Sequence, residues 1–215
     1  SFSRKNKNSY PDNFVDYSVN IIKADFLNAL IPINLSIDDG LFLKGTLNNK
    51  RNYLTISGKI PGFKYKDFYF QQIDLDVDNE KSKTLNVDFK CSNIFNKDSL
   101  LVDSIYLSGK TNSDLIIFNL ALNNKMLKSH LNLNGQMALK RDSAEVSISN
   151  SHLIANNVDW KLTAKDLMIL FKPEIRIPLI ELKHENQSIK LTGIISKNNP
   201  DPVRILLDNV TLGDI

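Results

Sequence analysis

Leu131-Asn132-Leu133-Asn134-Gly135-Gln136-Met137 alternates apolar and polar residues with a period of two. Successive side chains of an extended chain point to opposite faces, so this stretch sends Leu131, Leu133, Gly135 and Met137 one way and its amides the other. The same period recurs from residue 41 onward. It runs through Leu41, Leu43, Gly45 and Leu47, through Leu54, Ile56, Gly58 and Ile60, and through Ile73, Leu75 and Val77. It continues at Leu85, Val87 and Phe89, at Ile105 and Leu107, and at Val158, Trp160 and Leu162. It ends with Ile175, Ile177 and Leu179, with Ile189, Leu191, Gly193 and Ile195, and with Val203, Ile205 and Leu207. About a dozen such segments with short connections specify antiparallel β-structure in which one face is dry and the other wet.

A small motif, apolar-x-Gly-x-apolar, repeats within this pattern. It occurs at Leu43–Leu47, Ile56–Ile60, Leu133–Met137 and Leu191–Ile195, with a half copy at Leu107-Ser108-Gly109. Each glycine falls on the apolar face by parity. A glycine inside a strand weakens it, so it marks a bend, a close approach or relief of crowding. Asparagine makes up about one residue in eight. The pairs Asn48-Asn49, Asn123-Asn124, Asn156-Asn157 and Asn198-Asn199 separate apolar runs and read as turns, because asparagine tolerates positive φ and bonds its own backbone.

The 215 residues carry 27 Lys+Arg against 24 Asp+Glu, a net charge of +3, with 42% hydrophobic residues. That is a globular composition without the basic excess of a nucleic-acid binder, and no nucleic-acid partner is expected. The longest apolar runs, such as Leu115–Leu122, are far shorter than the roughly 20 residues that span a bilayer. Residues 1–16 read as a polar lead-in and 17–215 as one repetitive β domain. One short helix is expected near 23–31, where Phe26, Leu27 and Leu30 share a face and Pro32 ends it. The chain does not begin with Met and reads as a fragment of a longer protein.

No pattern of residues suggests catalysis. His130, His152 and His184 are isolated and read as surface histidines. Cys91 stands alone and reads as a small buried residue. Asp74-Leu75-Asp76-Val77-Asp78 opens like a calcium loop, but Asn79 and Leu85 stand where glycine and glutamate would be needed, so a solvated strand face is expected and no metal. The aromatic stretch Phe63–Phe70 reads as a strand rather than a single-strand nucleic-acid platform. No phosphate-binding or nucleophile-elbow motif is present. The chain is therefore expected to be no enzyme, with no catalytic residues and no cofactor.

The stretch Val146-Ser-Ile-Ser-Asn-Ser-His-Leu-Ile-Ala-Asn-Asn-Val-Asp-Trp160, continuing to Ile189-Lys-Leu-Thr-Gly193-Ile-Ile-Ser196, resembles the repeating unit of TamB proteins. These belong with the AsmA-like proteins of the diderm envelope, and the asparagine-rich style is similar to that of Bacteroidetes members. Ala24–Pro32 is similar to the short linker helices between their repeats. The resemblance implies a β-taco, an elongated, curved antiparallel sheet enclosing an open apolar groove. It implies a periplasmic segment, anchored in the inner membrane in the full-length protein. Its work would be phospholipid transport between the membranes, outer-membrane protein assembly beside a BamA-related barrel, or both. Acyl chains would lie against the inward set: Leu43, Leu54, Ile56, Leu75, Val87, Leu107, Leu131, Leu133, Ile148, Trp160, Leu162, Ile177, Leu191 and Ile205. The same alternation would also suit a closed β-sandwich, and a non-enzymatic binding or adhesin module is the rival function.

Overall fold

The structure, a computed structural model, describes residues 14–30, 35–79, 84–170, 174–196 and 203–211. The strands are β1 (Phe14–Ile21), β2 (Leu35–Ile37), β3 (Leu41–Asn48), β4 (Tyr53–Tyr65), β5 (Phe68–Asp78), β6 (Leu85–Asn96), β7 (Ser99–Val102) and β8 (Ser104–Asn112). They continue with β9 (Leu115–Asn124), β10 (Ser129–Leu139), β11 (Ser143–Ala155), β12 (Val158–Leu170), β13 (Glu174–His184), β14 (Gln187–Ser196) and β15 (Arg204–Asp208). All fifteen join one antiparallel sheet in the order β1-β3-β4-β5-β6-β8-β9-β10-β11-β12-β13-β14-β15, with β2 on β4 and β7 on β6. The sheet is open, since β1 and β15 lie at opposite ends of the path. A two-sheet sandwich is therefore not the architecture. Thirteen strands in line, at the usual ~4.8 Å spacing, extend roughly 58 Å.

The only helical segment among the described residues is Asp25–Leu30, six residues between β1 and β2. It is shorter than the expected 23–31, with Lys23 and Ala24 outside it, and Phe26 is 71% exposed rather than packed inward. Ile31 and Pro32 lie outside the described residues. Strand β1 begins at Phe14, inside the stretch read as a lead-in.

The turns show how asparagine works here. Asn156 and Asn157 form the two-residue link between β11 and β12 with φ of 50° and 66°, the left-handed pair that a tight hairpin needs. Asn48 and Asn124 do not turn. They end their strands, and their side-chain oxygens accept the N–H of Arg51 and Leu127 at 3.1 and 2.8 Å. Asn198-Asn199 lies outside the described residues.

Four irregularities interrupt the ladder. At the level of Pro61, Gln72 and Ser92 the β4-β5-β6 ladder lacks a pairing, and Gln72 takes φ 49°. Simple alternation would put Phe63, Phe70 and Ile94 opposite to Ile60, Ile73 and Cys91. Instead they pack together, with Ile73 at 3%, Cys91 at 1% and Ile94 at 9% exposure, and Phe63 stacks on Phe70 at 4.5 Å. The unpaired level is thus a crease that resets parity. Farther along, β11 carries an extra residue around Ser149–Ser151, β12 shifts between its pairings to Val146 and Ile148, and β13 bulges at Pro178-Leu179. Bulges bend and twist a strand locally. Ser151, fully buried, holds the first one. Its Oγ accepts the Asn134 N–H at 2.7 Å and donates toward the Ser149 and Asn134 carbonyl oxygens.

Candidate functional site

Residues directly opposite in an antiparallel ladder share a face. The register therefore traces one row across every strand of the main path: Tyr17, Gly45, Ile56, Val77, Val87, Gly109, Phe118, Gly135, Ile148, Ala164, Ile180, Leu191 and Ile205. It holds no charge and only the Tyr17 hydroxyl. Beside it runs a second row, Val19, Leu43, Gly58, Leu75, Phe89, Leu107, Leu120 and Leu133, which stops where β11 bulges. All of the predicted groove residues lie on this apolar face. Their exposure divides them. Trp160, Leu162 and Ile177 are buried, Ile205 is 67% exposed at the sheet's edge, and the rest are half-buried.

The strand glycines make room rather than turns. The Tyr17 ring covers Gly45, Leu43 reaches over Gly58, and the Phe118 ring lies on Gly135, so that any β-carbon at these positions would collide. Gly109 is open by comparison, its nearest neighbour being the Ile117 carbonyl oxygen, 3.8 Å from where a β-carbon would lie. An aromatic ring laid over a cross-strand glycine flattens the row and keeps it dry.

The opposite face is polar. Between the two apolar rows runs Ser18, Lys44, Ser57, Asp76, Asp88, Ser108, Asn119 and Asn134. Asp74, Asp76 and Asp78 all lie here, and Asp76 sits directly opposite Asp88. Among the described residues no group of three or more His, Cys, Asp or Glu is placed to hold a metal ion. Asn119 Nδ2 donates to Asn132 and Asn134 Oδ1 at 2.9 and 2.8 Å, and Asn134 Nδ2 donates to the Asn150 carbonyl at 2.8 Å. An open cleft crosses this face from β5 to β11, touched by Asp78, Asp88, Tyr106, Asn119 and Asn134. Tyr106 donates its hydroxyl to Asp88 at 2.7 Å, and that bond raises its pKa. Tyr69 does the same to Asp38 at 2.5 Å, with the same consequence.

No family model matches the chain, and neither does any curated protein or solved structure.

The isolated polar residues take structural positions. Cys91 is buried in the crease, and desolvation pushes its thiol pKa up. His152 pairs with Asp159 at 3.0 Å on the polar face, and His130 Nδ1 lies 2.5 Å from Asn123 Oδ1. His184 departs from the surface position expected of it. Its ring packs 5.7 Å from that of Trp160, while Nδ1 lies 2.9 Å from the Asp159 carbonyl oxygen. The Phe63–Phe70 stretch forms the β4–β5 hairpin, with Lys66 over the Tyr65 ring at 5.3 Å.

Strand β9 was hidden in the sequence. In Leu115–Leu122 both parities are apolar, so no alternation shows and only Asn119 marks the wet side. The structure places Phe118, Leu120 and Leu122 on the apolar face and leaves Ile117 57% exposed on the other. Among the described residues no helix is long and apolar enough to cross a membrane.

Proposed function

We propose that the apolar face is a bed for phospholipid acyl chains, and that the chain is a non-enzymatic segment of a TamB-like envelope conduit. The observation that carries this is the unbroken row from Tyr17 to Ile205. A dry strip that long, left half-exposed on an open sheet, is too large to face water without an occupant. Acyl chains suit it because they are flexible, apolar and indifferent to sequence, as the row itself is. A β-taco gives such chains a path along the strand-stacking direction. In this proposal the segment works in the periplasm, within a protein anchored in the inner membrane. It passes phospholipid toward the outer membrane, supports outer-membrane protein assembly, or does both. Contact with a BamA-related barrel would belong to other parts of the full-length protein, and no resident cofactor is needed.

A second reading, a binding or adhesin module, draws on the polar cleft over β5 to β11. Amide, hydroxyl and carboxylate groups there offer hydrogen bonds to a polar ligand. The two readings separate in one experiment. The protein is purified without detergent, extracted with organic solvent, and the extract analysed by mass spectrometry. The conduit should yield phospholipid in near-stoichiometric amount. A lipid-free protein that binds glycans or proteins through the polar cleft would favour the module.

A further inference from the structure

We propose that the cleft on the polar face binds an uncharged oligosaccharide, whose hydroxyl groups donate to a row of acceptors laid across β6 to β10. The cleft runs from β5 to β11 and holds about 1020 Å³, which is the scale of a ligand site. Its floor is the row Asp88, Ser108, Asn119 and Asn134, directly opposite one another on four adjacent strands. Three strand spacings of ~4.8 Å make that row roughly 14 Å long, so it suits an extended ligand of several rings.

The direction of the hydrogen bonds decides the ligand. Asn150, in the β11 bulge at φ 50°, presents its backbone carbonyl, which can only accept. It therefore faces Nδ2 of Asn134 and not Oδ1. Both N–H bonds of that amide are used, one on the Asn150 carbonyl at 2.8 Å and one on Asn132 Oδ1 at 3.2 Å. Asn134 Oδ1 accepts one N–H of Asn119 at 2.8 Å, and Asn132 Oδ1 accepts the other at 2.9 Å. Both donors of Asn119 are used as well. Tyr106 gives its one proton to Asp88 Oδ1 at 2.7 Å. Three side chains thus direct every donor into the protein. They leave the cleft acceptors: the second oxygen of Asp88, the second lone pair of Asn134 Oδ1, and Asn119 Oδ1, which receives no hydrogen bond among the described residues.

An acceptor-lined surface selects a donor-rich ligand. Every sugar hydroxyl supplies a donor, and its bond to an ionised carboxylate is of the stronger, charge-assisted kind. A polyanion is repelled by Asp76, Asp78 and Asp88 on the same face. Amide acceptors are neutral, so charge is not what most of the row reads. An extended peptide is recognised by main-chain pairing at a sheet edge, whereas the strands under this cleft are already paired on both sides. The proposal names the ligand of the polar cleft in the second reading above. It holds equally beside lipid on the apolar face, since the two faces share no side chain.

Titration calorimetry of the purified 215-residue chain tests this. Cellotetraose, maltotetraose and fully acetylated chitotetraose are the neutral probes, and spermine and heparin the charged ones. At least one neutral probe should bind, and neither charged one. Asp88→Asn still offers Tyr106 an acceptor but turns the outward oxygen into an N–H donor, and should weaken binding by about tenfold. Asp114→Asn makes the same charge change in the β8–β9 turn, outside the cleft, and should leave binding unchanged. Tyr106→Phe frees Asp88 Oδ1 as a further acceptor, so it should keep or tighten binding. The proposal fails if no neutral probe binds at millimolar concentration, or if spermine or heparin binds and the tetrasaccharides do not. It also fails if Tyr106→Phe abolishes binding, or if Asp88→Asn binds as tightly as the parent while circular dichroism shows both folds intact. Lipid in the organic extract of the same sample bears on the apolar face alone, so the two proposals fail separately.

Discussion

Two stretches of the same apolar face are built from the same residue types and differ in burial. Around Ile73, Cys91 and Ile94 the face is closed, with exposures of 3, 1 and 9%. Around Leu107, Leu120 and Leu133 it is half-open. Alternation is equally good in both. The difference is the crease at Pro61, Gln72 and Ser92, which brings Phe63, Phe70 and Ile94 onto the side where Ile73 and Cys91 already are. The central rows have no such reset, and their leucines stay half-buried. Period two chooses a face, and irregular residues decide how far that face is covered.

The comparison breaks or holds most visibly when one substitution is made at both places. Ile73→Asp should unfold the protein, because a carboxylate sealed in the crease without a partner costs several kcal/mol. Leu133→Asp places the same charge where water can reach it, and should cost less than about 2 kcal/mol, chiefly the lost apolar contact. Urea denaturation of both variants checks this. Equal loss at the two sites would mean that the central rows are as closed as the crease.

The far end offers a second closed point. Trp160 is 1% exposed, flanked by Leu153 and the His184 ring. Trp160→Ala should lose about 3–5 kcal/mol, the usual cost of an emptied aromatic site. A smaller pair of effects tests the glycines. Gly135→Ala must displace the Phe118 ring and should cost about 1–3 kcal/mol, as overpacking does. Gly109→Ala meets only an ordinary van der Waals contact, the Ile117 carbonyl oxygen at 3.8 Å, and should stay within about 1 kcal/mol of the parent, on the stabilising side if it moves at all. The smallest effect is expected at the crease. Gln72→Gly relieves a left-handed backbone at φ 49° and should change stability by under about 1 kcal/mol, leaving Phe63 stacked on Phe70.

Most of the sheet is legible in the sequence, and the exceptions have physical reasons. Leu131, Leu133 and Met137 announce their face by alternating with amides, and Asn156-Asn157 announces a hairpin by tolerating positive φ. Lys66 and Glu185 also adopt positive φ in tight turns, at 55° and 48°, yet nothing in a lysine or glutamate signals it. Those turns are imposed by the strands they join. Strand β9 was concealed because Ile117 puts an apolar residue on the wet face. The crease leaves a trace in each strand, a change of apolar parity from Ile60 to Phe63, from Phe70 to Ile73 and from Cys91 to Ile94, but only the register shows that the three changes fall at one level. His184 read as a surface histidine because its apolar neighbour, Trp160, is close only across the ladder. The residues expected to line a groove share one face in the register, and their burial, from Trp160 to Ile205, depends on bulges and edges that a period cannot encode.

The central claim is that acyl chains occupy the half-open rows, and consecutive photo-crosslinking positions test it most directly. A photoreactive amino acid is placed singly at Leu131, Asn132, Leu133 and Asn134 in the cell, and phospholipid adducts are quantified by mass spectrometry of the purified protein. The account predicts adducts at Leu131 and Leu133 and none at Asn132 and Asn134, a period of two read out in lipid. Adducts of equal yield at all four positions, or none at Leu131 and Leu133 in a correctly folded protein, would contradict it.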